Sequence, residues 1–334
     1  MKLRTSFIAV LIAVTGAGVM LWWNAIHKPS ATTIQITSPQ RSEVSHSNIL
    51  SPSAAALLTP EFSPLAARLG NLAMFGDKLP AADRKAILAS ITNTPPNGLS
   101  KEDWHSLAND MLQVLRKQHP PAPEYTDSLV AMWNDKTLDP TLRDYALQQL
   151  REWVADGDSR TSHEERPEKI VLIYRTFLDA VIPGHHSCDP QSTTTGTALL
   201  ALDEWLPVKT PESSAASPIP DSSAPPFSQI FSAFDFKQLL LTYSANAASH
   251  RGVRSTAIQL CTSRGIRDAI PIARSIISDN SSATILRIAA ISLLGTLGSA
   301  EERALLSTFQ QQNARDPILQ ASLQKALSDL SHQP

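Results

Sequence analysis

From residue 64 onward the apolar positions recur at three- and four-residue steps, and this period predicts helix after helix. The segments are 64–75, 80–91, 101–118, 123–134, 167–182, 231–245, 266–277 and 300–311, with further helices opening at Asp139, Thr195, Val253, Leu286 and Leu319. In 167–182 the apolar side is Ile170, Leu172, Ile173, Phe177 and Val181. Ser100-Lys101-Glu102-Asp103 has the form of a capping box, with Asp where Glu is usual. The fold class this pattern implies is all-α.

Three of these helices align at a fixed spacing of 33 residues: Val253-Arg254-Ser255-Thr256-Ala257, Leu286-Arg287-Ile288-Ala289-Ala290 and Leu319-Gln320-Ala321-Ser322-Leu323. A clearer copy lies upstream, Asp139-Pro140-Thr141-Leu142-Arg143-Asp144-Tyr145-Ala146-Leu147, and its opening recurs at Asp316-Pro317-Ile318-Leu319. A weaker copy starts at Thr195. Asp followed by Pro supplies an N-cap and a first-turn residue whose missing N–H costs nothing. The small residue, Ala146, Ala257 or Ala290, shares the apolar face and admits a neighbouring helix. The Arg stands at the edge, where its stem covers apolar surface and its head is expected to reach an acidic partner.

This form, repeated on the second helix of each pair over residues 123–330, resembles the HEAT-repeat family of armadillo-like α-solenoids. The resemblance implies a right-handed α-solenoid of helix pairs with a concave binding surface; it carries no function. The structural signature is Asp139, Pro140, Arg143, Ala146, Arg254, Ala257, Arg287, Ala290, Asp316 and Pro317. Arg is missing at Gln320 and Thr195, which interrupts the family's ladder of Asp and Arg. Residues 61–122 read as a separate N-terminal helical segment. Residues 208–226, rich in Pro and Ser, read as a disordered insert.

Residues 7–26 form an uncharged run of about 30 Å as a helix, the thickness of a bilayer core. Lys2 and Arg4 precede it, and Trp22 and Trp23 lie near its far end. An uncleaved anchor is expected, with residues 1–6 cytoplasmic and the repeats extracytoplasmic (periplasmic in a bacterium). A cleaved signal and a secreted chain is the alternative. Residues 27–60, with their Ser-Pro steps, read as a disordered tether.

Composition narrows function without naming it. Gly is scarce, at 12 of 334 residues, and the 24 Pro fall largely between helices. A net charge of −2 offers no footprint for nucleic acid. Two cysteines, Cys188 and Cys261, are too few for a disulfide scaffold, though in an oxidising compartment they could pair. Phosphate-binding loops, nucleophile elbows and dinucleotide fingerprints are absent from the sequence. His185-His186-Ser187-Cys188-Asp189 holds metal-ligating types at a spacing that fits no strong ligand pattern. Trp104, Trp133, Trp153 and Trp205 read as core. Arg254, Arg264, Arg267, Arg274 and Arg287 make the C-terminal part locally basic. The expectation is a membrane-tethered scaffold, not an enzyme and without cofactor or metal, that holds a protein or peptide. The alternative is an enzyme or accessory subunit of the lyase or maturation-factor type, using a pocket near His185, His186 and Cys188.

Overall fold

The computed structural model describes residues 50–59, 61, 63–93, 95–119, 122–156, 166–185, 192–206 and 234–332. Among them are fourteen α-helices, one 3-10 turn and no strand. The helices are α1 (Pro52–Leu58), α2 (Leu65–Ala73), α3 (Ala81–Ile91), α4 (Lys101–Arg116), α5 (Tyr125–Asn134), α6 (Pro140–Ala155) and α7 (Arg166–Val181). They continue as α8 (Thr194–Trp205), α9 (Phe236–Ala245), α10 (Arg251–Ser263), α11 (Ile270–Ser278), α12 (Thr284–Leu297), α13 (Ala300–Gln312) and α14 (Pro317–Ser331). The 3-10 turn Arg267–Ala269 leads into α11. Residues 7–26, most of the tether at 27–60, and the insert 208–226 lie outside the described residues. Among the described residues, no helix is long and apolar enough to cross a membrane.

The helices pack as consecutive pairs, α1 with α2 through α13 with α14. The second members then touch one another in file: α2, α4, α6, α8, α10, α12, α14. Their apolar sides form one continuous core running from Leu57 to Leu330. A helix of about ten to sixteen residues cannot shield its apolar stripe alone, and the file shields each stripe between two neighbours. The repeated small residues sit inside this contact. Ala146, Ala257 and Ala290 are completely buried. At Gly295 an added Cβ would lie 2.5 Å from the Ala326 Cβ, so only glycine permits this approach of α12 and α14. Trp104, Trp133 and Trp153 are buried, and Trp205 packs edge-on against Tyr174 and Phe177.

The turns inside the pairs share a construction. Asp135, Asn246 and Asp279 each end a first helix, and each accepts a hydrogen bond from the backbone N–H two residues on. These are Asx turns, which the short polar side chain makes locally. Asp139 then caps α6 through the Thr141 N–H (2.8 Å), and Asp316 caps α14 through Ile318 and Leu319.

The arginine of the signature does not bond the aspartate that precedes it. The Arg143 Nε donates to the Trp133 carbonyl (2.9 Å) at the end of α5, with the guanidinium over the Trp133 ring. Arg254 donates to the Ser244 carbonyl and Arg287 to the Asp279 and Asn280 carbonyls. The reason is that the last carbonyls of a helix lack intrahelical partners and carry the negative end of its dipole. A cation one turn into the next helix faces them directly. Gln320 stands at the same position and donates to the Gln310 (2.9 Å) and Asn313 (3.0 Å) carbonyls. Thr195 donates to the Ala180 carbonyl near the end of α7. The expected gaps in the ladder are therefore filled by neutral donors.

The same device shows that the array begins earlier than the sequence pattern indicates. Arg68 in α2 is completely buried and donates to the Leu57, Thr59, Glu61 and Ser63 carbonyls around the end of α1. Like Arg143, it lies four residues after its helix's N-cap. Pair α1–α2 is thus built like the later pairs. Residues 52–58, expected within the unstructured tether, form α1: Ser51 caps it, Pro52 opens it, and Ala54 and Leu57 are buried. Seven residues are too few to display a helical period. The segment 61–122 likewise continues the file through α2 and α4.

Candidate functional site

The second helices α4, α6 and α8 carry a group of half-buried polar residues. Asp144 on α6 accepts from the Thr197 hydroxyl on α8 (2.6 Å) and from the Gln148 amide (3.2 Å). Both partners are neutral. Burial raises the Asp144 carboxyl above the ordinary carboxylate range, and these two bonds only partly offset it. Burial also raises Asp110 on α4, with Lys117 opposing. Tyr145 is raised by burial and by the Asp144 and Asp110 charges. Two perturbed carboxyls and a phenol thus come together across adjacent pairs. Leu200, 41% exposed, lies on α8 three residues after Thr197. The α6–α8 step is also spanned by the Arg151–Glu204 pair.

Within the apolar α4–α6 contact, three buried polar side chains bond one another. The Gln149 amide donates to Asn109 Oδ1 (3.2 Å), and the Tyr125 hydroxyl donates to the Leu112 carbonyl (3.0 Å) and approaches Gln149 Oε1 (3.4 Å). Asn109, Tyr125 and Gln149 are all buried. Both ends of the contact carry ion pairs. At one end Asp139 meets Lys101 (2.7 Å) and His105 (3.3 Å). Burial alone would raise Asp139, but Lys101, the Thr141 bonds and His105 hold it below the usual range. At the other end Arg116 meets Glu152 (2.6 Å) and Asp156 (2.8 Å). On the first-helix side, α3 and α5 enclose a cleft of about 630 Å³ lined by Lys85, Leu88, Ala89, Ser128, Met132 and Asp135, among others.

The loop singled out in the sequence is only partly visible. His185 Nδ1 lies 2.8 Å from Asp179 Oδ1, both half-exposed. His186 and Cys188 lie outside the described residues. Among the described residues no three His, Cys, Asp or Glu side chains gather as metal ligands. Cys261 is a buried free thiol beside the Ser244 hydroxyl, and burial pushes it up to about 11, which removes nucleophilic character at neutral pH. Its suggested partner, Cys188, is not described.

The basic character expected of the C-terminal part is largely consumed internally. Arg264 bonds Asp203 and the Asp203 and Leu206 carbonyls, and Arg274 bonds Glu301 and Glu302. Arg254 and Arg287 hold helix ends, as described above, and Arg267 stays exposed. Asp110, Asp144, Tyr145 and Thr197 were not singled out from sequence. Their one legible signal is Asp144, a charge set between Arg143 and Tyr145 close to the apolar face.

No family model matches the chain, and no curated protein matches it. Among solved structures, human deoxyhypusine hydroxylase in complex with glycerol is similar at 18% identity, covering 84% of this chain and 95% of that one, with a TM-score of 0.29. A likeness of that degree carries no inference about fold or function.

Proposed function

We propose that the chain is a HEAT-like α-solenoid serving as an interaction scaffold for a protein or peptide, held outside a membrane by residues 7–26. The unbroken file of second helices carries this reading, because stacked pairs offer an extended surface rather than a closed catalytic pocket. Right-handed stacking would make that file the concave side. The partner-facing region is then the strip through Asp110, Tyr145, Gln148, Thr197 and Leu200. A partner bearing a cation would find two carboxyls whose described bonds come from neutral groups, at Asp144, or from none, at Asp110. It would also find an aromatic ring between them.

Site-specific photocrosslinking in the native membrane tests the proposal. Crosslinkers at Gln148 and Leu200 should give a discrete adduct, whereas one at the exposed Lys136 in the α5–α6 turn should not. Equal adducts from all three positions, or none from any, would reject a defined second-helix surface. Release of the protein by carbonate extraction would reject the anchor separately.

A further inference from the structure

We infer that the file of helices is open at its α1–α2 end, and that a second copy of this chain closes it, α2 stacking on α2 in a head-to-head dimer. In a solenoid each pair covers its neighbour's apolar side, so the terminal pairs need polar outer sides of their own. The C-terminal pair has one. Exposed residues on α13 and α14 include Arg303, Gln311, Gln324, Lys325 and Ser328, and Lys325 pairs with Asp329 (2.8 Å). The N-terminal pair has none. Every exposed residue of its two helices is Pro, Ala or Gly, and their one charged residue, Arg68, is completely buried. On α2, Ala66, Ala67, Gly70 and Ala73 lie opposite the buried Arg68 and Leu72. Met74, at the C-cap of the same helix, adds a large apolar side chain that is 75% exposed. Fraying does not explain its exposure. The Met74 N–H donates to the Asn71 carbonyl, and the loop that follows is pinned by the buried Gln118. The Gln118 amide donates to the Gly76 carbonyl (2.9 Å), and its oxygen accepts from the Leu79 N–H (2.5 Å).

What covers this end must offer an uncharged helix face that can come close. Contacts between second helices of this chain are built that way, with Ala257, Ala290 and Gly295 inside them. The exposed side of α2 has the same composition but no helix on it: an added Cβ at Gly70 meets nothing within 4 Å, whereas one at Gly295 meets Ala326. The α2 of a second copy supplies the missing face. An uncharged face complements itself without desolvating any charge, and one patch meeting itself closes on a two-fold axis. The polar side of α14 disfavours a head-to-tail chain instead. A bilayer is the poorer occupant, because helices that lie in the interface present Lys or Arg beside their apolar side, and the exposed positions of α1 and α2 carry no cation. Two helices about 14 Å long and about 10 Å wide give roughly 300 Å² per copy, under half of the ~800 Å² of a stable complex. Pairing therefore needs a raised local concentration, which a shared membrane supplies. In this alone the inference rests on the anchor proposed above.

Cysteine crosslinking of the full-length chain tests it. A Cys188→Ser background, in which Cys261 stays buried, carries one of Ala66→Cys, Gly70→Cys or Ala73→Cys on α2, or Gln324→Cys or Ser328→Cys on α14. Mild oxidation is applied in native membranes, and in detergent at about 1 mM chain, a concentration of the order that tethering produces. At least one α2 position should give a disulfide-linked dimer, and neither α14 position should. Ala67→Glu, added to whichever α2 cysteine reacts, sets like charges against each other and should abolish the dimer with the helical circular-dichroism signal unchanged. A dimer that survives this substitution overturns the pairing, and so does an equal dimer from the α14 positions. Absence of any α2 dimer from both media also overturns it, and labelling of the same cysteines by a photoactivatable lipid would then assign the face to the bilayer. A dimer in detergent alone keeps the pairing and counts against the anchor.

Discussion

Arg143 and its counterparts act on backbone rather than on carboxylates, and that assigns them a cost. Replacing Arg143 by Met keeps the apolar stem but leaves the Trp133 carbonyl without its cation, and should lower stability by about 2–3 kcal/mol in urea unfolding. Gln320→Ala removes neutral bonds only and should cost about 1 kcal/mol. Glu302 makes a different case. Its carboxylate is 2% exposed, yet it accepts from the Ser299 N–H and hydroxyl (both 2.6 Å) and bonds Arg274. Burial by itself would raise it; the Ser299 and Arg274 bonds outweigh burial and bring it down to about 2. A carboxyl depressed in the folded state contributes stability above its unfolded value, near 4.5, and loses it as the pH falls toward 2. Unfolding free energy followed from pH 5 to 2 should therefore decline. Glu302→Gln should be less stable at pH 7 and show a shallower decline.

Helices differ in how plainly their sequences declare them. Those from α2 onward announce themselves through period, proline and cap, and their observed ends fall within a few residues of expectation; α9 runs from Phe236, and residues 231–233 of its expected span lie outside the described residues. Helix α1 does not, because its seven residues gain their order from Arg68, a residue beyond its own end, and from Asp83, which accepts from the Ser51 N–H. Leu57→Ala should accordingly cost about 2–4 kcal/mol, a core value, where a residue in a free tether would cost nothing measurable. The α12–α14 contact is equally context-made. Gly295→Val would press a side chain onto Ala326 and should cost about 1–3 kcal/mol, read by the same unfolding titration. In α13 the full capping box of Ser299 and Glu302 is written in the sequence as Ser-x-x-Glu but is completed from outside by Arg274 of α11.

Across the whole array, the cations divide their work by distance along the chain. Within a pair they meet carbonyls, as Arg68, Arg143, Arg254 and Arg287 do. Between consecutive pairs they mostly meet carboxylates: Arg116 with Glu152, Arg151 with Glu204, Arg264 with Asp203, Lys237 with Asp268, Arg274 with Glu302; Arg264 also reaches the Asp203 and Leu206 carbonyls, and Lys169 the Pro123 carbonyl. Carbonyl dipoles do not titrate, whereas carboxylates do and are screened when exposed. Acid and salt should thus loosen joints before they unfold pairs, and unfolding monitored by ring environment should precede loss of helical signal below pH 4. Coincident transitions would show that pairs and joints melt together. By itself the sequence determined the all-helical class, most helix positions, the small residues at the contacts and the 33-residue spacing. Each of these follows from local period, capping chemistry and steric size, which act within one or two turns. Only the tertiary structure decided that the signature arginines face helix ends, that Gln320 and Thr195 replace them, that α1–α2 is a full pair, and that Asp110, Asp144, Tyr145 and Thr197 converge. Those depend on which residue of another helix arrives within about 3 Å, and no period along one helix carries that information.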